Sequence, residues 1–191
     1  IQHRFIVKEQ LKDIGFLNPC LLLEPSGRNT AAAIATATEY VKEVFSHDSV
    51  MIILSSDHHL NDVNQFKRAL SRSVDKAKNG DLILLGSEPS GNDNRYGFIE
   101  LGKKIGEPGL FEVKSFKEKP DHKDSEKFLA KNNYLWNCGI FIMHTKSIIE
   151  EMEKHCNDIL LRSRTAYRGA EIDGCFIKLQ EQSFNKIPSE P

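Results

Sequence analysis

The chain alternates between short apolar runs and longer segments with helical periodicity. Val50 to Leu54 and Leu82 to Leu85 are continuous apolar runs, which are typical of strands buried on both faces. Between them, Asn64 to Lys78 carries apolar residues at helical spacing. Because strands that alternate with helices build a sheet covered on both faces, the pattern predicts an α/β, Rossmann-like fold with a mixed, mostly parallel sheet flanked by helices.

Other segments extend this pattern along the chain. Strands are predicted over 5–7, 21–23, 98–101 and 111–116, the last two as an antiparallel pair around a turn at 106–109. Helices are predicted over 9–14, 30–45, 125–131, and from 146 onward with breaks near 157 and 169–174. An apolar stretch over 134–143 is interrupted by two polar or flexible residues, Asn137 and Gly139. The chain opens on a strand-like run and closes on a loop at 187–191, so we interpret 1–191 as one partial domain, cut at both ends.

Composition excludes several classes of protein. Lys and Arg number 26 against 27 Asp and Glu, so the net charge is −1 and no basic surface for nucleic acid is indicated. No apolar run approaches the roughly 20 residues of a membrane span. The four cysteines are widely separated, which is typical of reduced thiols and predicts a cytoplasmic protein.

The first candidate site is the turn between the strand 21–23 and the following helix. Asn29 is expected at the N-cap of this helix, followed by Thr30. A strand that turns directly into a helix presents backbone N–H groups and a positive dipole end to a ligand. Arg28 adds a planar, permanently charged group that suits a phosphate or a base edge. An ordinary capped helix beside a solvated arginine is an equally good interpretation.

Asp57 is a candidate metal ligand. It follows the apolar run 50–54 after two serines. In open α/β sheets, ligands bind beyond the carboxyl ends of the strands, where a carboxylate can hold Mg²⁺ against phosphates. The alternative is an aspartate that caps a turn. His58 and His59 lack the spacing of a helical metal-binding pair and are expected in a loop.

Two further clusters contain polar residues beside predicted strands. Glu118 can accept hydrogen bonds from sugar hydroxyls and Lys119 can neutralise a phosphate, although an exposed ion pair at a strand end is the simpler interpretation. Asn137 can bind a sugar hydroxyl, or it can satisfy its own backbone in a β-bulge. Gly97 indicates a backbone that comes close to another group.

Taken in order, six segments resemble those of sugar nucleotidyltransferases, and most closely bacterial mannose-1-phosphate guanylyltransferases, including those fused to phosphomannose isomerase. The segments are His3–Val7, Glu24–Pro25 with Gly27–Ala31, Asp57–His58, Tyr96–Gly97, Phe116 with Glu118–Asp121, and Tyr134–Asn137 with Gly139. The chain departs from the family at Ser55–Ser56, usually Pro-Ala, at Cys138, usually Ser, and at Arg95, usually Gly.

The resemblance implies that GTP and mannose 1-phosphate react to GDP-mannose and pyrophosphate, with the sugar phosphate attacking the α-phosphorus in line with help from Mg²⁺. Positioning and charge neutralisation carry such chemistry. The resemblance places Arg28, Asn29 and Thr30 on the nucleotide side and makes Asp57 a catalytic metal ligand. It assigns Gly97, Glu118 and Asn137 to the sugar, and Lys119, the second catalytic residue, to the sugar's phosphate.

The resemblance also implies missing parts. The family's glycine-rich phosphate loop should precede residue 1, and its second metal-binding aspartate should follow residue 191, so we expect the 191-residue chain alone to be inactive. Two alternatives remain open: a transferase that uses UTP or dTTP, and a non-catalytic module that binds sugar phosphates. Whether the intact protein is a homo-oligomer is not determined by the sequence.

Overall fold

The computed structural model describes residues 3–91, 93, 95–106 and 108–189. These residues form two compact units. The first unit contains residues 3–51, 78–81 and 143–189, and the second contains 52–77 and most of 82–142. Glu107 of the predicted turn, and Glu190 and Pro191 of the predicted final loop, lie outside the described residues.

The secondary structure alternates between helices and strands along most of the chain. The helices are α1 Arg4–Asp13, α2 Asn29–Val44, α3 Val63–Lys78, α4 His122–Leu129, α5 Thr145–His155, α6 Asn157–Arg168 and α7 Glu181–Phe184. The strands are β1 Leu21–Leu23, β2 Val50–Ile53, β3 Ile83–Ser87, β4 Phe98–Lys104, β5 Phe111–Lys117, β6 Tyr134–His144, β7 Glu171–Asp173 and β8 Phe176–Lys178.

The first unit packs helices around a small sheet ordered β1-β8-β7. Its core contains Ala32 and Ala35 of α2, Leu160 of α6 and Phe184 of α7. Alanines on the inner face of α2 let α6 approach closely, because they add little volume to the helix surface. Burying a side chain such as Leu160 contributes about 1.5–3 kcal/mol, so this apolar layer holds the unit together.

The second unit is built on β6, the longest strand. The sheet is ordered β2-β6-β4-β5, and β3 also pairs with β6. On one face, Phe128 of α4 stacks on Tyr134 with ring centroids 4.5 Å apart, and it also contacts Phe98. Asp121 caps α4 by accepting a 2.8 Å hydrogen bond from the Asp124 N–H. The aromatic contacts and the cap fix α4 against β4 and β6.

The predicted α/β fold class is confirmed, but the strand pairing is less parallel than expected. Of the five described registers, only that of β1 with β8 is parallel. A short connection such as the one between β4 and β5 can join only antiparallel neighbours, whereas parallel strands need a long crossover. The predicted hairpin from 98 to 116 is therefore confirmed, and it accounts for part of the antiparallel pairing.

Three local predictions were wrong. Residues 5–7 lie in α1, because a run of three apolar residues fits a helix as well as a strand. Strands β2 and β3 are not buried on both faces: Ile52 is 43% exposed, β2 lies at one end of the strand order, and β3 contains no buried residue. The helix break predicted at 169–174 is present, since α6 ends at Arg168, but the hairpin of β7 and β8 that follows was predicted as helical, because strands of three residues are too short to show a period.

Candidate functional site

The turn before α2 is attached to the segment that follows α7. The Arg28 guanidinium donates to the Asn185 carbonyl, and Ser26 Oγ donates to Asn185 Oδ1 at 2.6 Å. Asn29 was predicted to be the N-cap of α2, but this prediction is wrong. Arg28 is the N-cap, and Asn29 is the first helical residue, with a φ of +61°. Asparagine tolerates this left-handed conformation, and its Nδ2 donates to Ser189 Oγ at 3.1 Å. Thr30 is exposed in the first turn of α2.

Arg28 has one hydrogen-bond donor that no described residue accepts. Its Nε is buried and has no partner among the described residues, although the residue as a whole is half-buried. A guanidinium carries five N–H donors, so the bond to Asn185 leaves others for a ligand. The described geometry therefore combines a side chain that is fixed by Asn185 with one buried donor that no described residue accepts.

A cavity of about 620 Å³ opens beside this turn. It is lined by the end of β1, by the turn residues from Glu24 to Gly27 and by Ala33 and Ala37 of α2. Its volume lies in the range of small-molecule sites, which is about 300–1,000 Å³. Burial raises the pKa of the Glu24 carboxyl above its ordinary value. Sequence reasoning did not include Glu24 in the site, although it ends the predicted strand at the ligand-binding edge.

In the second unit, the structure brings together three of the predicted sugar-site residues. A Cβ added to Gly97 would lie 2.9 Å from Glu118 Oε2 and 3.5 Å from Asn137 Cβ. The Asn137 N–H donates to the Gly97 carbonyl at 2.7 Å. A carboxylate, a side-chain amide and a bare backbone segment therefore meet at one point, because the missing side chain of Gly97 lets these groups approach closely.

Asn137 also satisfies part of its own backbone, as the alternative interpretation expected. Its Oδ1 accepts a 3.0 Å hydrogen bond from the Gly139 N–H, and the β3–β6 register shifts between Leu85 and Gly86. The Asn137 Nδ2 has no partner among the described residues. The bulge consequently fixes the amide through its oxygen and leaves its two N–H donors unused.

Lys119 follows β5 with an unusual backbone conformation. Its φ is +39°, in the left-handed region that side-chain-bearing residues rarely adopt. The ammonium lies 3.4 Å from Glu118 Oε1, and the side chain is largely exposed. The predicted strand-end ion pair is therefore present. Strained backbone of this kind is concentrated at functional sites, which motivates a role for Lys119 beyond the ion pair.

Asp57 lies in an exposed turn after β2, and no hydrogen bond or ion pair joins its side chain to the described residues. Two residues earlier, Ser55 Oγ would lie 3.8 Å from a Cβ on Gly139, so this segment passes beside the bulge that holds Asn137. Among the described residues, no group of three metal-ligating side chains occurs. The Asp57 carboxylate is nevertheless a suitable ligand type for Mg²⁺, because Mg²⁺ is usually held by one or two carboxylates together with water and substrate phosphates.

Arg28, Asn29 and Thr30 belong to the first unit, whereas Asp57 and the cluster around Gly97 belong to the second. Both groups contain fixed polar side chains with unused donors or acceptors, beside a cavity in one case and a bare glycine in the other. Fold and site features together define an α/β protein whose candidate site residues lie in and directly beside its strands.

A family profile described as nucleotidyl transferase matches residues 1–180, and the chain belongs to this family. The family expected from the motifs is confirmed. Members of the family generally use a divalent metal ion.

Several curated relatives are similar over nearly the whole chain. Mannose-1-phosphate guanylyltransferases of Sinorhizobium fredii and of Escherichia coli K12 are each 36% identical, over 98% and 99% of this chain. The alginate biosynthesis protein AlgA of Pseudomonas aeruginosa is 35% identical over 98% of it. The chain spans 36%, 40% and 39% of these relatives, respectively.

Two solved structures share the fold. A mannose-6-phosphate isomerase from Helicobacter pylori superposes with a TM-score of 0.86 at 25% identity, covering 98% of this chain and 72% of that one. A structure from Thermus thermophilus titled mannose-1-phosphate geranyltransferase gives a TM-score of 0.77 at 24% identity, covering 95% and 50%. Within the part of the chain that the structure describes, no helix has the length and apolar character needed to cross a membrane.

Proposed function

We propose that the gene product carrying this chain is a mannose-1-phosphate guanylyltransferase, which forms GDP-mannose and pyrophosphate from GTP and mannose 1-phosphate. The observation that carries the proposal is the cluster of Gly97, Glu118 and Asn137, in a chain similar to relatives of that name. We further propose Mg²⁺ as the metal and the cytoplasm as the location, in keeping with the reduced state expected of the cysteines.

The sugar would bind at the polar groups that meet at Gly97. The Glu118 carboxylate accepts hydrogen bonds from hydroxyl groups, and the free Asn137 Nδ2 donates one. The Lys119 ammonium, on its flexible side chain, can exchange the Glu118 carboxylate for the sugar's phosphate. These contacts hold the phosphate oxygen in place for an in-line attack, which is the main contribution a protein makes to such a transfer.

The nucleotide would bind at the turn before α2. Arg28, with Asn29 and Thr30 beside it, brings positive charge and N–H donors to phosphates or a base edge. The Glu24 carboxylate in the adjoining cavity favours guanine, because guanine offers two neighbouring N–H donors on its pairing edge. Uracil and thymine offer one N–H between two carbonyl oxygens, which a carboxylate repels. This difference supports GTP over UTP or dTTP.

Asp57 would supply a carboxylate oxygen to Mg²⁺, which neutralises phosphate charge when it is bound. The exposed position and the unpaired carboxylate of Asp57 support this role. Other ligands would come from water and from the substrate phosphates.

The proposal is tested by incubating the complete gene product and Mg²⁺ with mannose 1-phosphate and GTP, UTP or dTTP in turn, and by measuring pyrophosphate release and the nucleotide sugar formed. We expect GDP-mannose from GTP and much slower turnover with the pyrimidine nucleotides. Turnover with UTP or dTTP at rates equal to that with GTP would contradict the assignment. Binding of mannose 1-phosphate in calorimetry without turnover of any nucleotide would favour the non-catalytic module.

Replacing Glu24 by glutamine is expected to raise the KM for GTP about 10- to 100-fold, because the amide places an N–H against guanine donors.

The same variant should be more stable than the parent at neutral pH. The pKa of Glu24 is raised by burial, so its contribution to stability is greatest below the ordinary pKa of a glutamate and is lost as pH rises through the raised pKa. The stability difference should therefore vanish in acid. Thermal unfolding at several pH values and GTP kinetics measure both effects, and an unchanged KM for GTP would exclude Glu24 from base recognition.

Replacing Lys119 by glycine is expected to increase stability and to weaken binding of the sugar phosphate. Glycine adopts a φ of +39° without steric cost, so the free energy of unfolding should rise by about 1 kcal/mol. The loss of the ammonium should raise the KM for mannose 1-phosphate about tenfold while leaving the KM for GTP unchanged. Lys119→Ala is the control, since it removes the charge but retains the strain. Equal KM values for the parent and both variants would remove Lys119 from the phosphate site.

A further inference from the structure

An aromatic pair lies beside the candidate sugar cluster. Tyr96 and Trp136 stack with ring centroids 4.9 Å apart and planes inclined by 30°. Each ring immediately precedes a member of the cluster, Gly97 in one case and Asn137 in the other. The pair therefore occupies the two chain segments that the hydrogen bond from Asn137 to Gly97 joins.

The rings and the cluster lie on opposite faces of the sheet. Strand β4 pairs with β6 so that Phe98 is opposite Trp136, and the bond from Asn137 to Gly97 continues this ladder by one residue. Because successive side chains on a strand point to opposite faces, Trp136 shares the face of Phe98, whereas Asn137 points to the face of Gly97. The rings thus support the backbone of the cluster from behind without entering it.

Stacking on Tyr96 is one interaction that fixes the indole of Trp136. Its Nε1 is buried and makes no hydrogen bond within the described residues. A buried tryptophan N–H normally finds a partner, and its absence costs free energy. The orientation of the indole consequently depends on contacts with its faces, of which the Tyr96 ring is one.

An ion pair forms between two residues of the loop before Tyr96. The Asp93 carboxylate accepts hydrogen bonds from the Arg95 backbone N–H at 3.0 Å and from the Arg95 guanidinium at 2.6 and 2.9 Å. The hydrogen bonds from Arg95 lower the pKa of Asp93 to about 2, so this contact persists at all physiological pH values. Tyr96 follows this ion pair directly along the chain and stacks on Trp136.

We propose that Tyr96 and Trp136 are positioning residues for the candidate sugar site. Their stack keeps the Gly97 carbonyl and the Asn137 N–H in register, so that the Asn137 amide and the Glu118 carboxylate meet the same hexose. The identity of the ligand as a hexose phosphate rests on the proposed function. The effect of the stack on the backbone is independent of it.

The test uses Tyr96→Ala and Tyr96→Phe in the complete gene product. Tyr96 is 43% exposed, so its truncation should leave the chain folded. We expect Tyr96→Ala to raise the KM for mannose 1-phosphate about tenfold, with the KM for GTP unchanged, because a small displacement of a positioned group is costly. Tyr96→Phe retains the stacking face and should match the parent. The control is Phe128→Ala, which removes the other aromatic stack on this face, at Tyr134, and should lower stability without changing either KM.

Hydrogen–deuterium exchange of the peptide containing β6 provides a readout independent of activity. Tyr96→Ala should speed exchange at the Asn137 N–H about tenfold, while amides near Ile142 keep the parent rate. Unchanged exchange, or faster exchange with an unchanged KM for the sugar phosphate, would overturn the inference. If the parent enzyme uses no sugar phosphate, the proposed function fails, and the exchange comparison still decides whether the stack fixes the backbone.

Discussion

Gly97→Ala is expected to lower kcat/KM for mannose 1-phosphate about 100-fold while the chain remains folded. The new methyl group would lie 2.9 Å from Glu118 Oε2 and 2.9 Å from Phe116 Cζ, closer than Cβ contacts allow. Glu118 is flexible at this end, so its carboxylate should swing out of the cluster, and the Phe116 ring must shift. The φ of Gly97 is not in the left-handed region, so alanine adds no backbone strain.

The expected loss concerns the sugar phosphate and not the nucleotide. Steady-state kinetics with each substrate varied in turn measures this difference, and thermal unfolding tests whether the fold persists. Gly91→Ala is the matched control, because a Cβ at Gly91 meets no atom within 4 Å and its φ is not in the left-handed region. If Gly97→Ala and Gly91→Ala have the same kcat/KM as the parent, Gly97 and Glu118 do not form a sugar site.

Glu39→Ala is expected to reduce the free energy of unfolding by about 3–5 kcal/mol. Glu39 on α2 is 5% exposed and accepts a 2.9 Å hydrogen bond from Arg164 Nε on α6. Removing the carboxylate leaves the largely buried guanidinium of Arg164 without its charged partner. Because α2 also carries the candidate nucleotide turn, the loss should loosen the helix pair that supports Arg28.

Urea unfolding of the parent and variant proteins measures this loss. Asp158→Ala is the control. It breaks the exposed ion pair between Asp158 and Arg162 on α6, which has a similar length of 2.8 Å, and it should reduce the free energy of unfolding far less. The double variant Glu39→Leu with Arg164→Met should recover much of the lost stability, because an apolar pair replaces a buried ionic one without an uncompensated charge. Equal losses for Glu39→Ala and Asp158→Ala would show that the inner pair contributes no more than a surface pair.

Long periodic segments were predicted well from the sequence. Helix α2 was expected at 30–45 and lies at Asn29–Val44, and α3 was expected at 64–78 and lies at Val63–Lys78. Four turns of helix contain enough apolar positions to make the period unambiguous. Some short runs failed for the opposite reason: residues 5–7 and the three-residue strands β7 and β8 contain too few residues to distinguish a strand from a helix.

The candidate site was predicted by residue type but not by environment. Glu118 and Asn137 were identified from the sequence, yet their meeting at Gly97 depends on the β4–β6 and β4–β5 registers. Glu24 was not predicted as a site residue because nothing local in the sequence shows that its carboxyl is half-buried beside a cavity. The Tyr96–Trp136 stack was also missed, since 40 positions separate the two rings in the chain.

By itself, the sequence determined which long segments are helical, which family the chain belongs to and which side chains have chemistry suited to phosphates and sugars. These properties follow from residue identity and from spacing within one element, where neighbours along the chain are also neighbours in space. The tertiary structure alone decided which groups are buried, which hydrogen-bonding groups remain unused and which glycine lets other side chains approach its backbone closely. Burial and register depend on residues far apart in the chain, and only the packed sheet and helices bring those residues into contact.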